Sequence, residues 1–399
     1  MLSIMTTDEI KSLYDTHVIN TYGVRKLVMA RGEGMHVWDT DGNEYLDFFA
    51  GIAVTNVGHC HPKVTQAICD QAHTLVHVSN LHLYESQAKL AALLSDNSFA
   101  DQWFFSNSGA EANEGAIKLA RRYWVQQGSP KPTIITAHQS FHGRTMTTIS
   151  ASGQPKLHDG FDPLMPGFKY ADFNDLDALS ALITPDVGAI LLEPIQGEGG
   201  VNTVDADYLH RVRALCDKHN ILLILDEIQT GCGRTGALFA YEHSAITPDI
   251  MTLAKGLGNG VPIGAMGCTN EVATGFAPGS HGSTFGGNPL CTAAALATMR
   301  VILDENLVEN AKTVGDYFME QLNGLKTKHA LIQEVRGLGL MVGVQLEGTV
   351  GDILTKMLEH GVLCGPAGPH VLRFLPALII TTEQVDHVVS VLDTVLGEL

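Results

Sequence analysis

Lys255 stands in the stretch LAKGLGNGVPIGA (253–265), among small and apolar residues with no acidic neighbour. An amine in such surroundings loses solvation in its charged form, so its pKa falls. A lysine that is neutral part of the time can act as a nucleophile toward a carbonyl group. Three interpretations fit the stretch: a covalent amine nucleophile, a phosphate-binding lysine in a glycine-rich loop, and a solvated side chain at a loop edge.

An acidic residue stands in a matching position. Asp226 lies near the end of the apolar run ILLILDE (221–227), and Lys255 lies near the end of the next run, DIMTLAKG (249–256). Parallel strands bring their carboxyl ends to one edge of a sheet, where ligands bind. A lone acid at a strand end is often structural, but two opposite charges at neighbouring strand ends favour a functional site.

The segment FFSNSGAEANEGAIKLARR (104–122) offers a candidate anion site. Ser108, Gly109 and Ala110 stand at the start of a predicted helix (110–127) with an acidic first turn. Free N–H groups and the dipole at a helix start bind phosphate. The alternative is an ordinary N-cap followed by a turn of small residues. Neither this segment nor GLGNG has the residue order of a nucleotide-binding P-loop.

Three further loops carry candidate polar side chains, and two histidine groups resemble metal ligands. The loops are SFHGRT (140–145), EPIQGEGG (193–200) with Glu198, and HGSTFGGNP (281–289) with Ser283 and Thr284. Arg144 in the first loop could clamp a carboxylate through two hydrogen bonds, and a plain surface arginine is the alternative. GHCHP (58–62) and the pair His73 and His77 lack a third ligand of suitable spacing, so we expect no metal site.

The elements that must position these residues alternate along the chain. Apolar runs at 133–137, 187–194, 221–227 and 249–256 are separated in part by helix-length segments such as 205–219. This alternation is typical of a mainly parallel sheet covered on both faces. Residues 31–49 predict a hairpin around DTDG. From about residue 300 the pattern predicts a smaller α+β unit with helices at 301–328, 350–361 and 382–398 and strands at 339–346 and 371–376.

Composition limits the class of protein. The 399 residues are 45% hydrophobic and carry a formal net charge of −18, so the long-range field repels nucleic acid and anionic membranes. The seven cysteines form no Cys-x-x-Cys pair, and no apolar run approaches the roughly 20 residues that span a bilayer. The acidic, polar N-terminus lacks a signal-peptide pattern. We expect a cytoplasmic protein whose partners are small molecules and other subunits.

Lys255, Asp226 and the helix start together suit pyridoxal phosphate. This cofactor needs a lysine for a Schiff base, a carboxylate beside its ring nitrogen and a helix N-terminus for its phosphate. From about Tyr22 onward the chain resembles the class III aminotransferases of fold type I, through the ordered motifs FHGR, EPIQGEGG, LDEIQTGCGRTG (225–236), AKGLGNGVPIGA (254–265) and GSTFGGNP. The resemblance implies an α/β fold with a mainly parallel seven-stranded sheet in a large cofactor-binding domain (51–290). A small α+β domain (291–399) and an N-terminal segment packing with it (1–50) would complete the chain.

The resemblance also implies roles for individual residues. Lys255 would bond to the cofactor and move protons, Asp226 would pair with the ring nitrogen, and Gln229 would reach the phenolic oxygen. The remaining contacts would come from Phe141 stacking on the ring, Ser108, Gly109 and Ala110 at the phosphate, and Thr284 at the phosphate of the neighbouring subunit's cofactor. That last role implies a homodimer with shared sites.

The implied reaction moves the terminal amino group of N2-acetylornithine to 2-oxoglutarate in two half-reactions. Arg144 would hold the distal carboxylate, Arg373 the α-carboxylate of 2-oxoglutarate, and Glu198 would neutralise Arg373 while the amine donor is bound. Ser283 would join the substrate site. Tyr22 falls where ornithine aminotransferases have a tyrosine that holds the donor's free α-amino group. Ornithine, 4-aminobutyrate and succinylated amines, including N-succinyl-diaminopimelate, therefore stay alternative amino donors.

One feature departs from the family pattern, and two alternative functions stay open. The phosphate loop reads Ser-Gly-Ala-Glu, where close relatives often have Ser-Gly-Thr-Glu, so one hydroxyl contact would be lost. A nucleotide-binding module that uses KGLGNG, and a pyridoxal-phosphate fold kept for regulation alone, remain as alternatives at this stage.

Overall fold

The computed structural model describes residues 5–23, 26–205 and 207–398. At its centre lies a seven-stranded sheet whose strands, in spatial order, are Gln102–Ser106, Gly264–Cys268, Ile250–Leu253, Leu222–Asp226, Val187–Leu192, Thr133–Ala137 and Phe168–Ala171. The last five of these are mutually parallel, and Gly264–Cys268 is antiparallel to both of its neighbours. The predicted mainly parallel seven-stranded sheet is confirmed.

The central strands are buried because each face of the sheet has its own core. Side chains alternate along a strand, so neighbouring residues point to opposite faces. Ile224 belongs to the core that contains residues of helix Gly109–Gln126, whereas Leu225 belongs to the core that contains residues of helix Tyr208–His219. Strands that are covered on both sides carry continuous apolar runs, which is the pattern seen in the sequence.

The other elements surround this sheet. The α-helices are Thr7–His17, Ala50–Ala53, Pro62–Thr74, Glu85–Asp96, Gly109–Gln126, Met146–Ala151, Leu176–Ala181, Tyr208–His219, Asn270–Ala273, Pro289–Asp304, Leu307–Lys328, Gly351–Glu359 and Thr382–Gly397. None of the described helices is long and apolar enough to cross a membrane.

Three smaller sheets complete the structure. An antiparallel sheet near the C-terminus has the order Ile332–Leu338, Met341–Leu346, Val371–Phe374 and Gly365–Pro366. A second sheet contains Met29–Glu33, His36–Asp39, Glu44–Asp47 and Val362–Leu363, and a two-stranded ribbon pairs Ile195–Gln196 with Asn202–Thr203. The second sheet therefore joins an N-terminal hairpin to a strand from near the C-terminus. The domain boundaries at 50 and 290 stay a prediction.

Local predictions mostly agree with these elements, with one clear error. The hairpin around DTDG is confirmed by the pairing of His36–Asp39 with Glu44–Asp47. The single helix predicted over 301–328 is wrong, because one helix ends at Asp304 and the next begins at Leu307. Asn306 between them has φ of +53°, a left-handed conformation that breaks the helix and that asparagine adopts more readily than most residues.

Candidate active site

Lys255 lies just beyond strand Ile250–Leu253, at the start of a 3-10 turn over Lys255–Leu257. Its φ is +44°, in the left-handed region, which costs a residue with a side chain of the order of 1 kcal/mol. The side chain lines a cavity of about 390 Å³ at the carboxyl ends of the parallel strands. A strained backbone at the edge of a cavity is a feature of functional sites.

The amine of Lys255 is available for chemistry. In the part of the chain that the structure describes it forms no ion pair, and the nearby carboxylates of Asp226 and Glu198 pair with His142 and Arg373 instead. Burial lowers the pKa of Lys255 to about 8; the two carboxylates oppose this shift and Arg373 reinforces it. A substantial fraction of the amine is therefore neutral near pH 8, as a nucleophile or base requires.

Asp226 ends strand Leu222–Asp226 and is fixed by buried polar neighbours. Its register partner on the adjacent parallel strand is Thr252. The Asn113 side-chain amide donates to Asp226 Oδ2 at 2.7 Å, and His142 Nδ1 lies 2.8 Å from the same oxygen. Asn113 also accepts from the Thr252 hydroxyl at 2.8 Å. This network holds the carboxylate at the cavity in one orientation, suited to facing a cationic ring nitrogen.

The helix Gly109–Gln126 begins at the same cavity. Ser108 is its N-cap, and the Ser108 hydroxyl accepts from the Glu111 backbone N–H at 3.2 Å. The N–H groups of Gly109 and Ala110 have no acceptor within the helix, as in the first turn of any helix. Gly143 has φ of +137°, and a Cβ there would lie 2.8 Å from the Ala110 Cβ. The helix start is thus packed closely against the glycine of FHGR and presents free donors to an anion.

Phe141 and Glu193 form another wall of the cavity. The Phe141 backbone N–H donates to Glu193 Oε2 at 3.0 Å. Burial raises the pKa of Glu193 well above its ordinary value, and the charge of Asp226 adds to the shift. The Glu193 carboxyl group, beside Asp226, therefore holds the loop that carries Phe141. Glu193 opens the motif EPIQGEGG, but its type and position in the sequence predicted no role for it.

Arg373 and Glu198 form a partly buried ion pair beside the cavity, in which the Glu198 side chain is 31% exposed. Arg373 lies on strand Val371–Phe374, is 1% exposed, and donates from Nη1 to Glu198 Oε1 at 2.6 Å. The same nitrogen donates to Gly197 O at 3.0 Å and to Gln229 Oε1 at 3.2 Å. Burial acts to raise the pKa of Glu198, but the Arg373 charge and hydrogen bond oppose it and the net pKa is lowered. The pair neutralises a guanidinium that would otherwise be buried uncompensated.

Arg144 is a second arginine at the cavity, in a different state. It lines the cavity wall, and its Cζ lies 5.6 Å from the centre of the Phe141 ring. Its side chain is exposed, and it forms no ion pair with any described residue. A carboxylate that enters the cavity would therefore find Arg144 free to bind it.

The structure brings most of the predicted residues together around one cavity. Its lining includes Ser108, Gly109, Ala110, Phe141, Arg144, Asp226, Gln229 and Lys255. Glu198 and Arg373 join it through Gln229, whose side chain contacts both residues. The sequence pattern gave no role to Asn113, His142 or Glu193, although His142 stands in the quoted motif FHGR.

Three predicted substrate or cofactor residues lie elsewhere in this chain. Tyr22 is 84% exposed and does not line the cavity. Ser283 and Thr284 line a separate cavity of about 350 Å³, where the Asn107 side-chain amide donates to the Ser283 hydroxyl at 3.1 Å. Their roles stay predictions.

Metal ligation finds no support at the histidine motifs. His59 of GHCHP pairs with Asp47, and His73 Nδ1 lies 2.7 Å from the Cys69 carbonyl oxygen. In the described ranges no group of three or more histidine, cysteine or acidic side chains could hold a metal ion.

This sheet brings three groups to one cavity at its edge: a buried lysine of lowered pKa, a fixed aspartate and a helix start. Together the fold and these groups define a pyridoxal-phosphate enzyme of fold type I. The Aminotransferase class-III family model matches residues 19–396, and the chain belongs to this family. The family depends on pyridoxal 5′-phosphate, which is therefore the cofactor of this aminotransferase.

Curated relatives match nearly the full length. The chain is 50% identical over 385 residues to the acetylornithine aminotransferase of Caldanaerobacter subterraneus subsp. tengcongensis, a match that covers 96% of this chain and 98% of the relative. It is 52% identical over 384 residues to the acetylornithine aminotransferase of Methanocaldococcus jannaschii, with 96% of each chain covered.

Solved structures share the fold. The ornithine aminotransferase of Toxoplasma gondii superposes with a TM-score of 0.95 at 37% identity, which covers 100% of this chain and 96% of that one. The acetylornithine aminotransferase of Elizabethkingia anophelis superposes with a TM-score of 0.89 at 32% identity, covering 99% and 100%.

Proposed function

We propose that this aminotransferase moves the terminal amino group of N2-acetyl-L-ornithine to 2-oxoglutarate. The products would be N-acetyl-L-glutamate 5-semialdehyde and L-glutamate, a step of arginine biosynthesis. The observation that carries the proposal is the near-full-length identity of about 50% to relatives that are acetylornithine aminotransferases. The arginines and the Glu198–Arg373 pair at the cavity support it, because both substrates are carboxylates.

The described residues fit the cofactor. Asp226 would face the ring nitrogen, Phe141 would stack on the ring, Gln229 would reach the phenolic oxygen, and the free N–H groups at Gly109 and Ala110 would bind the phosphate. When bound, pyridoxal phosphate supplies an electron sink that stabilises negative charge on the substrate carbon bearing the amine. Lys255 Nζ accepts the proton from that carbon, since its lowered pKa makes it a base near neutral pH.

Arg144 and Arg373 would divide the work of carboxylate binding. Arg144 binds the distal carboxylate of either substrate from the cavity wall. Arg373 binds the α-carboxylate of 2-oxoglutarate after Glu198 moves away. While the amine donor occupies the site, Glu198 returns to Arg373, because a buried guanidinium without a partner is costly. The 2.6 Å Glu198–Arg373 contact is the donor-ready state in this interpretation.

Glu198→Ala should slow the acetylornithine half-reaction by at least about tenfold and leave the 2-oxoglutarate half-reaction within about threefold of the parent. The reason is that the variant exposes the donor to an uncompensated Arg373, whereas the oxo acid supplies its own carboxylate. Single-turnover absorbance of each half-reaction measures the split. Glu305→Ala removes an exposed glutamate that pairs with Lys63 and serves as the matched control. Equal loss in both halves would exclude the role of Glu198.

We also propose a homodimer, in which Thr284 would reach the phosphate of the neighbouring subunit's cofactor and Ser283 the substrate. An exposed apolar surface beside these residues supports this assembly: Leu81 is 89% exposed, Leu83 101% and Phe285 60%. The Asn80 side chain donates to the Ser283 and Gly286 carbonyl oxygens and so ties the 283–286 loop to that surface. A second copy would bury the apolar side chains and deliver Thr284 to its partner.

The seven free cysteines and the composition support a cytoplasmic location.

The donor is tested by a panel of amines with 2-oxoglutarate: N2-acetylornithine, ornithine, N-succinyl-diaminopimelate and 4-aminobutyrate. The amines are ranked by kcat/KM, because ratios of these values define specificity. We expect the highest value for N2-acetylornithine, because relatives about 50% identical to this chain are acetylornithine aminotransferases. A preference for ornithine is the second candidate, and the close superposition on an ornithine aminotransferase favours it over the other donors. A tenfold or larger preference for any other amine would overturn the proposed donor and leave the aminotransferase assignment intact.

A further inference from the structure

Two arginines occupy one row of the C-terminal antiparallel sheet. Arg336 on strand Ile332–Leu338 and Arg373 on strand Val371–Phe374 both pair with Gly343 of the strand between them. Directly opposed residues on adjacent strands project to the same face of a sheet. The two guanidinium groups therefore approach the same segment from neighbouring positions on a shared platform.

That segment is residues 197–201, which connects Ile195–Gln196 to Asn202–Thr203 and carries Glu198; we call it the switch loop. Arg373 Nη1 donates to the Gly197 carbonyl at one end of the loop. Arg336 Nε and Nη2 both donate to the Gly200 carbonyl at the other end, at 3.0 and 2.7 Å. The switch loop is thus held at both ends by the arginine row.

Gly343 completes the platform by the absence of a side chain. A Cβ at Gly343 would lie 2.9 Å from the Cβ of Val201, which is fully buried at the end of the switch loop. Gly200 has φ of +125°, a conformation that side chains rarely allow, and this turn directs its carbonyl to Arg336. The loop backbone is therefore seated on the sheet between the two arginines.

The two arginines differ in what balances their charge. Arg373 is paired with Glu198, the residue of the loop itself that would leave during the reaction. Arg336 Nη1 lies 2.6 Å from Glu334 Oε2 and 2.6 Å from Gln345 Oε1, both on the sheet. The Arg336 contact with Gly200 can therefore persist whether Glu198 covers Arg373 or not.

We propose that Arg336 is a positioning residue for the exchange of Glu198 on Arg373. By fixing the Gly200 end of the switch loop, it limits the exchange to a movement of the Glu198 side chain and returns the carboxylate to Arg373 when the product glutamate leaves. This inference rests on the proposed role of Glu198 in the transamination. Without Arg336 the loop loses one anchor, and Glu198 covers Arg373 less completely.

The test compares Arg336→Gln and Arg336→Lys with Glu334→Gln, using both half-reactions in single turnover and calorimetric binding of glutarate. Glutarate is a dicarboxylate that cannot react, so its affinity reports competition with Glu198 for Arg373. For Arg336→Gln we expect a donor half-reaction slowed by about fivefold or more, a 2-oxoglutarate half-reaction within about twofold, and glutarate bound at least about threefold more tightly. Arg336→Lys should restore part of each change, because it returns one hydrogen bond to Gly200.

The control and the Glu198 variant separate the possible failures. Glu334→Gln keeps the contact of Arg336 with Gly200 and should leave both half-reactions and glutarate affinity within about twofold of the parent. Suppose that Glu198→Ala slows only the donor half-reaction. If Arg336→Gln then slows both half-reactions equally, or changes neither the ratio of their rates nor the glutarate affinity, the role of Arg336 is wrong and the exchange of Glu198 on Arg373 stands. If Glu198→Ala shows no split, the switch and the role of Arg336 both fail. If Arg336→Gln does not fold, the same criteria apply to Arg336→Lys.

Discussion

Lys255→Ala should lower kcat by at least about 1000-fold, the largest effect of any single substitution at the cavity. The expected loss follows from the removal of the proposed base that would take the proton from the substrate carbon, a role that contributes about 100- to 10,000-fold in other enzymes. The covalent link to the cofactor would be lost as well. Glutamate formation from saturating N2-acetylornithine and 2-oxoglutarate measures the change.

Lys169→Ala is the matched control, because Lys169 bonds to the Leu182 carbonyl and the Thr184 hydroxyl away from the cavity. It should leave kcat within about twofold. Added methylamine should restore part of the rate of Lys255→Ala, since a small free amine can carry the same proton. The pKa gives an independent readout: acylation of Lys255 in cofactor-free protein should rise through about pH 8, below the ordinary pKa of 10.5. A Lys255→Ala variant that keeps a tenth of the parent rate would contradict the assignment.

Asp226→Asn should lower kcat/KM by about 100- to 1000-fold, the cost observed when a preorganised electrostatic group is removed from an active site. The substitution keeps the shape of the side chain but removes the negative charge that would keep the ring nitrogen protonated. In one orientation the asparagine NH2 group would face the donor groups of Asn113 and His142. In the other orientation its oxygen would accept from them and the NH2 group would face the ring nitrogen. Steady-state kinetics and a cofactor titration measure the two consequences.

Asp186→Asn provides the comparison, because Asp186 accepts hydrogen bonds from Thr133 and Thr184 away from the cavity. Asn113→Ala should give an intermediate loss, since Asp226 keeps its charge and its contact with His142 but loses the 2.7 Å amide donor. If Asp226→Asn stayed within about fivefold of the parent in kcat/KM, the carboxylate would have no electrostatic role in the reaction.

Four adjacent strands of the central sheet could be predicted because they are buried on both faces: Thr133–Ala137, Val187–Leu192, Leu222–Asp226 and Ile250–Leu253. Runs such as ILLILDE are apolar throughout because both faces of the strand are buried. The alternation of strands and helices along the chain can therefore be predicted from these runs. The helix break at Glu305 and Asn306 is weakly marked in the sequence, because neither glycine nor proline stands there and only the tendency of asparagine to adopt a left-handed φ indicates it. The apolar run 249–256 extends past the end of its strand at Leu253, over a turn whose conformation the apolar pattern does not record.

The candidate pair of Asp226 and Lys255 could be predicted for a similar reason. Asp226 and Lys255 each follow an apolar run, and parallel strands place such ends at one edge. The family assignment then removes the reading of KGLGNG as a nucleotide-binding loop. The roles of Asn113 and His142 could not be predicted, because their contacts with a strand end 113 and 84 residues away along the chain leave no trace in the spacing of residues. The arginine row around Gly343 likewise depends on strand register, which a single sequence does not specify.

Because the backbone at Lys255 is left-handed, a substitution there that raises thermal stability would lower the rate of turnover. Glycine would adopt a φ of +44° without the cost that a side chain brings, so Lys255→Gly relieves strain at the same position where it removes the reactive amine. A library selected only for survival of heating would therefore tend to accumulate glycine at 255, and one selected for growth that depends on the reaction would eliminate it. The chain keeps a less stable backbone there as a condition of its chemistry.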